Sequence, residues 1–195
     1  MMAELEEATL LERWRLAAAE DLLSLALWHA GELSAASLRE LEASPFPDIL
    51  QLTMGTRDET RGLTLLRGAR AFLHLDGDHS QRDRLAVDYA AIYLNYSYRA
   101  SPCESVWLDE DGLGMQEAMF QVRAEYRRHG LAVTDWRRRP DDHLVCQLEF
   151  IAALLREATR SQQLAEVADF LDRHLLRWIG TFAARVCAHS ETAFY

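Results

Sequence analysis

Asp142 and His143 stand side by side just after Pro140 and Asp141, where the residue types signal the start of a helix. A neighbouring carboxylate and imidazole can do three things there. They can cap the helix, since an Asp oxygen satisfies free N–H groups and complements the dipole. They can clamp a peptide, because an imidazole donates or accepts toward a backbone. They can also act as acid and base in a hydrolase or a nucleotide-binding enzyme. That last chemistry needs a nucleophile and an orienting group, and no matching Ser or Cys signature accompanies the pair. Upstream, Ser101-Pro-Cys-Glu-Ser-Val-Trp-Leu-Asp109 places Pro102, Cys103, Glu104 and Ser105 at a second junction between loop and helix.

Metal and cofactor chemistry finds little to build on. Asp109-Glu-Asp-Gly112 is similar to the opening of an EF-hand loop but lacks the repeated Asp/Asn spacing and the closing Glu. Cys103, Cys146 and Cys187 are odd in number and far apart, with no Cys-x-x-Cys pair, so reduced thiols are expected rather than disulfides or zinc. His29, His74, His79, His129, His174 and His189 share no ligand spacing and read as structural or exposed. All 21 basic residues are Arg. The absence of Lys removes Schiff-base chemistry and the lysine of a phosphate loop. No cofactor, metal or catalytic residue is expected.

The formal charge of −10 at pH 7 makes nucleic acid an unsuitable partner and a cationic peptide a suitable one. No apolar run reaches the length of a membrane span, and the opening Met1-Met-Ala-Glu-Leu-Glu-Glu7 is acidic where a signal peptide is basic; the expected location is the cytoplasm.

These residues must be positioned by helices. The chain has 195 residues, 49% of them hydrophobic, with only 4 Pro and 9 Gly, and apolar side chains recur by three and four almost throughout. The expectation is an all-α protein, one domain of about seven to ten helices with room for two lobes. Leu11, Trp14, Ala18, Leu22 and Leu25 predict a first helix over about 4–29 with one apolar stripe. Ser37-x-x-Glu40 and Thr56-x-x-Glu59 read as capping boxes on either side of a Pro45-Phe-Pro47 turn. A break at Gly77-Asp-His-Ser80 precedes an aromatic helix from Asp83 to about Tyr96, with Leu85, Tyr89, Ile92, Tyr93 and Tyr96 on one face and Ser80 as its cap. A loop over about 97–113 leads to a helix carrying Met115, Met119, Val122 and Tyr126, ended by Gly130. Trp136 to Pro140 form a charged connector. Leu144, Leu148, Ile151 and Leu155 mark the next helix. Leu164, Val167, Leu171, Leu175, Trp178, Phe182 and Val186 mark one last long helix or two with a bend near 176.

Four blocks in this order resemble the TorD/DmsD family of redox-enzyme maturation chaperones: Asp88-Tyr-Ala-Ala-Ile-Tyr93, Pro102-Cys-Glu-Ser-Val-Trp-Leu-Asp109, Arg139-Pro-Asp-Asp-His-Leu144 and Phe170-Leu-Asp-Arg-His-Leu-Leu-Arg-Trp178. The resemblance implies an all-helical chaperone that binds the twin-arginine signal peptide and the apo form of a molybdopterin oxidoreductase subunit until its cofactor is inserted. It also implies a peptide groove drawn from Tyr89, Ile92, Tyr93, Pro102, Cys103, Glu104, Ser105, Asp142 and His143. Some relatives bind GTP, for which this chain has no phosphate loop. The family includes monomers and domain-swapped dimers, and residues 136–140 are where a swap would hinge. Cys103 stands where the family has an aromatic residue, Asn95 where it has Gly, Arg139 where it has Glu, and Arg177 where it has Pro.

Overall fold

In the computed structural model, residues 2–52, 55–72, 79–192 and 194–195 are described. The expected break at Gly77 and Asp78, and His74, lie outside them. Among the described residues the regular elements are all helical, as composition predicted; the only β-type pairing is an isolated bridge. In chain order they are α1 (Met2–Ala30), α2 (Ala35–Ala43), α3 (Arg57–Phe72), α4 (His79–Tyr89), α5 (Glu104–Leu108), α6 (Glu117–Arg128), α7 (Leu144–Glu157), α8 (Ser161–Phe170) and α9 (Leu176–His189). π-helical turns over Ala90–Leu94 and Leu171–Leu175 extend α4 and join α8 to α9.

Local chemistry sets several helix ends. Thr56 Oγ1 accepts the Glu59 N–H at 3.1 Å and so caps α3, as its box predicted. Gly130, at φ 69°, closes α6: its N–H reaches Arg127 O at 3.0 Å, and the Leu131 N–H reaches Tyr126 O at 2.9 Å. This is the paired C-terminal arrangement that a left-handed residue permits. Two starts differ from expectation. The cap of α2 is Ser34, which accepts from Ser37 N at 3.1 Å. Ser80 lies within α4 rather than before it. Tyr96, expected on the aromatic face, falls after the π turn at φ 54° and is exposed.

The chain divides into two compact units. The first holds residues 1–30 and 101–181, and within it α1 packs chiefly along α7. The stripe expected on α1 is rotated. Leu11 and Trp14 are exposed, while Arg15, Ala18, Ala19, Ala26 and Trp28 are buried. Arg15 supplies the reason: its Nη1 donates to Leu155 O at 2.9 Å and Arg156 O at 2.6 Å, satisfying carbonyls at the end of α7. The small side chains on the same line let the helix axes come close. Val122, Phe150, Ile151, Phe170 and Trp178 fill this core. Its rings pair as Tyr126 with Phe150 at 4.5 Å and Phe150 with Phe170 at 4.8 Å.

Of the two readings, one long helix or two meeting near 176, the second holds: a π turn at Leu171–Leu175 separates α8 from α9. An inserted residue of this kind advances the helical face. Phe170 and His174 accordingly take buried positions, and Leu171, expected in the stripe, is only half-buried.

The second unit holds residues 31–100 and 182–195. Phe46, Leu38 and Ile92 are fully buried in it, with Leu85, Phe182 and Val186. Tyr89 and Tyr93 stack at 4.8 Å between ring centroids.

Candidate functional site

Asp141, Asp142 and His143 are consecutive, yet each does separate work. His143 is the cap of α7. Its Nδ1 accepts the Val145 N–H at 3.1 Å, which requires that nitrogen to be unprotonated. Burial pushes the imidazole down to about 3, reinforced by the positive charge of Arg139. It is therefore neutral near pH 7. Asp141 takes a two-nitrogen hydrogen bond from Arg123, at 3.1 Å from Nε and 2.8 Å from Nη2. Its backbone carbonyl accepts the Tyr126 hydroxyl at 2.9 Å.

Asp142, expected at the cap or first turn of α7, instead caps α5. Its Oδ2 accepts the Ser105 N–H at 2.8 Å and the Ser105 hydroxyl at 2.5 Å. The same hydroxyl oxygen accepts the Met115 N–H at 3.1 Å, which ties in the loop before α6. The backbones are joined as well: Leu144 N donates to Pro102 O at 2.7 Å and Glu104 N to Asp142 O at 3.1 Å, forming an antiparallel bridge between Cys103 and His143.

Beneath the bridge lies a second layer of buried polar groups. Glu104 accepts the Gln147 amide at 2.7 Å on one oxygen and faces His174 Nδ1 at 3.0 Å with the other. The Gln147 amide also reaches Asp142 O at 3.2 Å. Glu104, Ser105, Asp142 and Gln147 are all 0% exposed. Burial raises the Asp142 carboxyl above its ordinary range, opposed by its hydrogen bonds from Ser105. Among the described residues, Asp142 Oδ1, Gln147 Oε1 and His174 Nε2 lack partners. Gln147 carries no sequence motif of its own, and His174, though inside the Phe170–Trp178 block, reads in the sequence only as structural or exposed. For Gln147 only its position on the buried line of α7 could have pointed to it; for His174 the block is a further signal.

Of the residues singled out in the sequence, Pro102, Cys103, Glu104, Ser105, Asp142 and His143 are thus brought together in the first unit. Cys103 is 5% exposed, and burial with the nearby Asp142 raises its thiol well above the ordinary value. Tyr89, Ile92 and Tyr93 belong to the second unit and are likewise buried, the two tyrosine rings lying against each other and against Tyr195. Arg139 donates to Ala30 O, at the last residue of α1. Trp107 anchors the α5 junction through Nε1 to Ser101 O at 2.8 Å.

The arrangement does not form an acid/base pair, because the Asp142 carboxylate serves Ser105 and the His143 Nδ1 is taken by its own helix. The acidic Asp109 loop is an Asx turn: Asp109 Oδ2 accepts the N–H groups of Asp111 at 3.1 Å and Leu113 at 2.9 Å. Among the described residues no three His, Cys, Asp or Glu side chains form a group able to hold a metal ion. Among them, too, no helix is long and apolar enough to cross a membrane.

A short helix and a long one, interlocked at their starts by buried carboxylates, define a helical scaffold whose polar interior fixes one geometry. Residues 58–184 match the family described as the nitrate reductase delta subunit, and the chain belongs to that family. Among curated proteins it is similar to "Chaperone protein TorD" of Vibrio vulnificus strain YJ016, 29% identical over 119 residues that make up 57% of this chain and 55% of the relative. The protein of that name from Vibrio cholerae strain O395 is 33% identical over 119 residues, 57% of this chain and 54% of the relative. That from Shewanella pealeana is 31% identical over 119 residues, 57% of this chain and 52% of the relative. The chain therefore spans about half the length of the curated relatives it matches. No solved structure matches it.

Proposed function

We propose that this chain is a maturation chaperone rather than an enzyme, binding the twin-arginine signal peptide and the apo form of a molybdopterin oxidoreductase subunit in the cytoplasm before export. The observation that carries the reading is the family match across residues 58–184, which contains the whole Glu104–Ser105–Asp142–His143 junction, together with relatives named as chaperones. The formal charge of −10 supports it, since a peptide bearing two Arg is drawn to an acidic surface.

In this reading the buried members of the predicted groove, Pro102, Cys103, Glu104, Ser105, Asp142 and His143, are positioning residues. They hold α5 and the loop after it, where Leu113 and Met115 are exposed beside Asp109, Glu110 and Asp111. Exposed apolar groups next to acids suit a segment that is both cationic and apolar. Tyr89, Ile92 and Tyr93 build a further face in the second unit.

The test is calorimetric titration with twin-arginine peptides at low and high salt, alongside co-purification from the native host. Binding at micromolar Kd or tighter that weakens as salt rises is expected, because exposed charges are screened beyond roughly 10 Å at 0.1 M salt. Failure of every such peptide to bind at low salt, with no oxidoreductase subunit co-purifying, overturns the reading.

A further inference from the structure

In the second unit, the segment that follows α9 leaves the helix and is held as a peptide ligand is held. Its anchor is Asp88, 0% exposed on α4. One carboxylate oxygen accepts the Thr192 N–H at 2.8 Å and the Thr192 hydroxyl at 2.5 Å. The other accepts the Glu191 N–H at 2.9 Å and the Tyr98 hydroxyl at 2.8 Å. Burial and the bond to Asp88 raise the Tyr98 phenol to about 12, so that it remains a donor at neutral pH. Arg84 adds a bond to Glu191 O at 3.2 Å.

Beyond this anchor the segment presents two rings. Phe194 packs at 6.0 Å from Phe46, and Tyr195 lies 6.2 Å from Tyr89 and 6.1 Å from Tyr93, measured between centroids. Phe194 is 8% exposed. The recognition elements are two backbone N–H groups, one hydroxyl and two adjacent aromatic side chains. A buried carboxylate gripping two successive backbone N–H groups, next to aromatic walls, reads a segment that bends in the same way and offers the same pattern.

We infer that Asp88, Tyr89, Tyr93 and Phe46 form a receptor for a bent segment with a hydroxyl residue followed, after one intervening residue, by two aromatic or large apolar residues, and that Glu191, Thr192, Phe194 and Tyr195 are its resident occupant, a strap that a partner segment of this pattern displaces. The displacement by a client rests on the chaperone reading; the receptor and its strap do not.

The probe is a fluorescein-labelled peptide of the chain's own residues Ser190–Tyr195, followed by anisotropy. The unaltered chain binds it weakly, because the tethered copy competes at millimolar effective concentration. A Phe194→Ala/Tyr195→Ala variant, which vacates the aromatic walls, binds it at least about tenfold more tightly. Adding Asp88→Asn removes that gain. Equal affinity in the unaltered and double-substituted chains, or no binding to a double variant that circular dichroism shows to be folded, overturns the inference.

Hydrogen exchange on the unaltered chain gives a second test that needs no substitution. The Glu191 and Thr192 amides exchange through an opening that leaves the α4 amides protected. If both sets exchange together, only on global unfolding, the segment is no strap. Since the probe is the chain's own sequence, a failure of twin-arginine peptides to bind is separable from a failure here.

Discussion

Asp142 caps a helix that starts far upstream of it: its Oδ2 accepts both the N–H and the hydroxyl of Ser105, a residue 37 positions away in the chain. The residues that follow Cys103 and His143 at the bridge lead into different helices, and the work is divided: the Asp142 carboxylate holds the start of α5, while His143 Nδ1 caps α7. Asp142→Ala leaves two buried donors of Ser105 without an acceptor, and each unsatisfied donor costs about 1 to 3 kcal/mol. Urea denaturation is expected to show a loss of about 3 kcal/mol, with the second layer at Glu104 still assembled. A loss no larger than that of an exposed helix cap, below about 1 kcal/mol, would contradict the long-range cap.

Glu104 and His174 meet across 70 residues of sequence, at 3.0 Å, with both side chains almost wholly out of water. Removing either strands the other. A double-mutant cycle with Glu104→Ala and His174→Ala is expected to give a coupling free energy of about 1 to 3 kcal/mol. Additive losses would show that the pair does not act as a unit.

His143 contributes to the change of stability on mild acidification, alongside His29, which burial pushes down to about 4. The folded value of His143 lies near 3 against an ordinary 6.5, so the folded state takes up fewer protons between them and the stability present above pH 6.5 is lost as pH falls through that window. Asp142 acts in the opposite sense, because its raised carboxyl favours folding at the acid end and that contribution disappears as pH rises through its folded value. His143→Asn keeps a competent cap while removing the imidazole titration. The slope of unfolding free energy against pH between 6.5 and about 4 should become shallower, by at most about 1.4 kcal/mol per pH unit. An unchanged slope would assign the acid sensitivity elsewhere.

The thiols should separate into two classes. Cys187 is exposed, whereas Cys103 and Cys146 are buried, and burial with the charge of Glu149 raises the Cys146 thiol to about 12. A thiolate-specific reagent at pH 7 to 8 is expected to modify one cysteine quickly in the folded protein and all three in denaturant. Rapid reaction of Cys103 in the folded state would show that the α5 junction opens.

The all-helical class was legible from spacing and composition because each helix buries a stripe defined within its own residues. Thr56 as a cap and Gly130 as a stop were legible for the same reason: their partners lie within four residues in the chain. The blocks around Tyr89, Ser105, His143 and His174 stood out by their order, but not by what their side chains touch.

Those contacts were settled only by tertiary structure. Arg15 reaches carbonyls 140 and 141 residues away, Gln147 pairs with Glu104 across 43, and Asp88 holds Thr192 across 104. Nothing in the local sequence distinguishes an Asp that caps its own helix from one that caps another, since both sit before an apolar run with free N–H groups nearby. Which donors are satisfied depends on which helix starts are packed together. Burial then makes the choice costly to reverse, because a carboxylate removed from water must keep the partners that the fold brings to it.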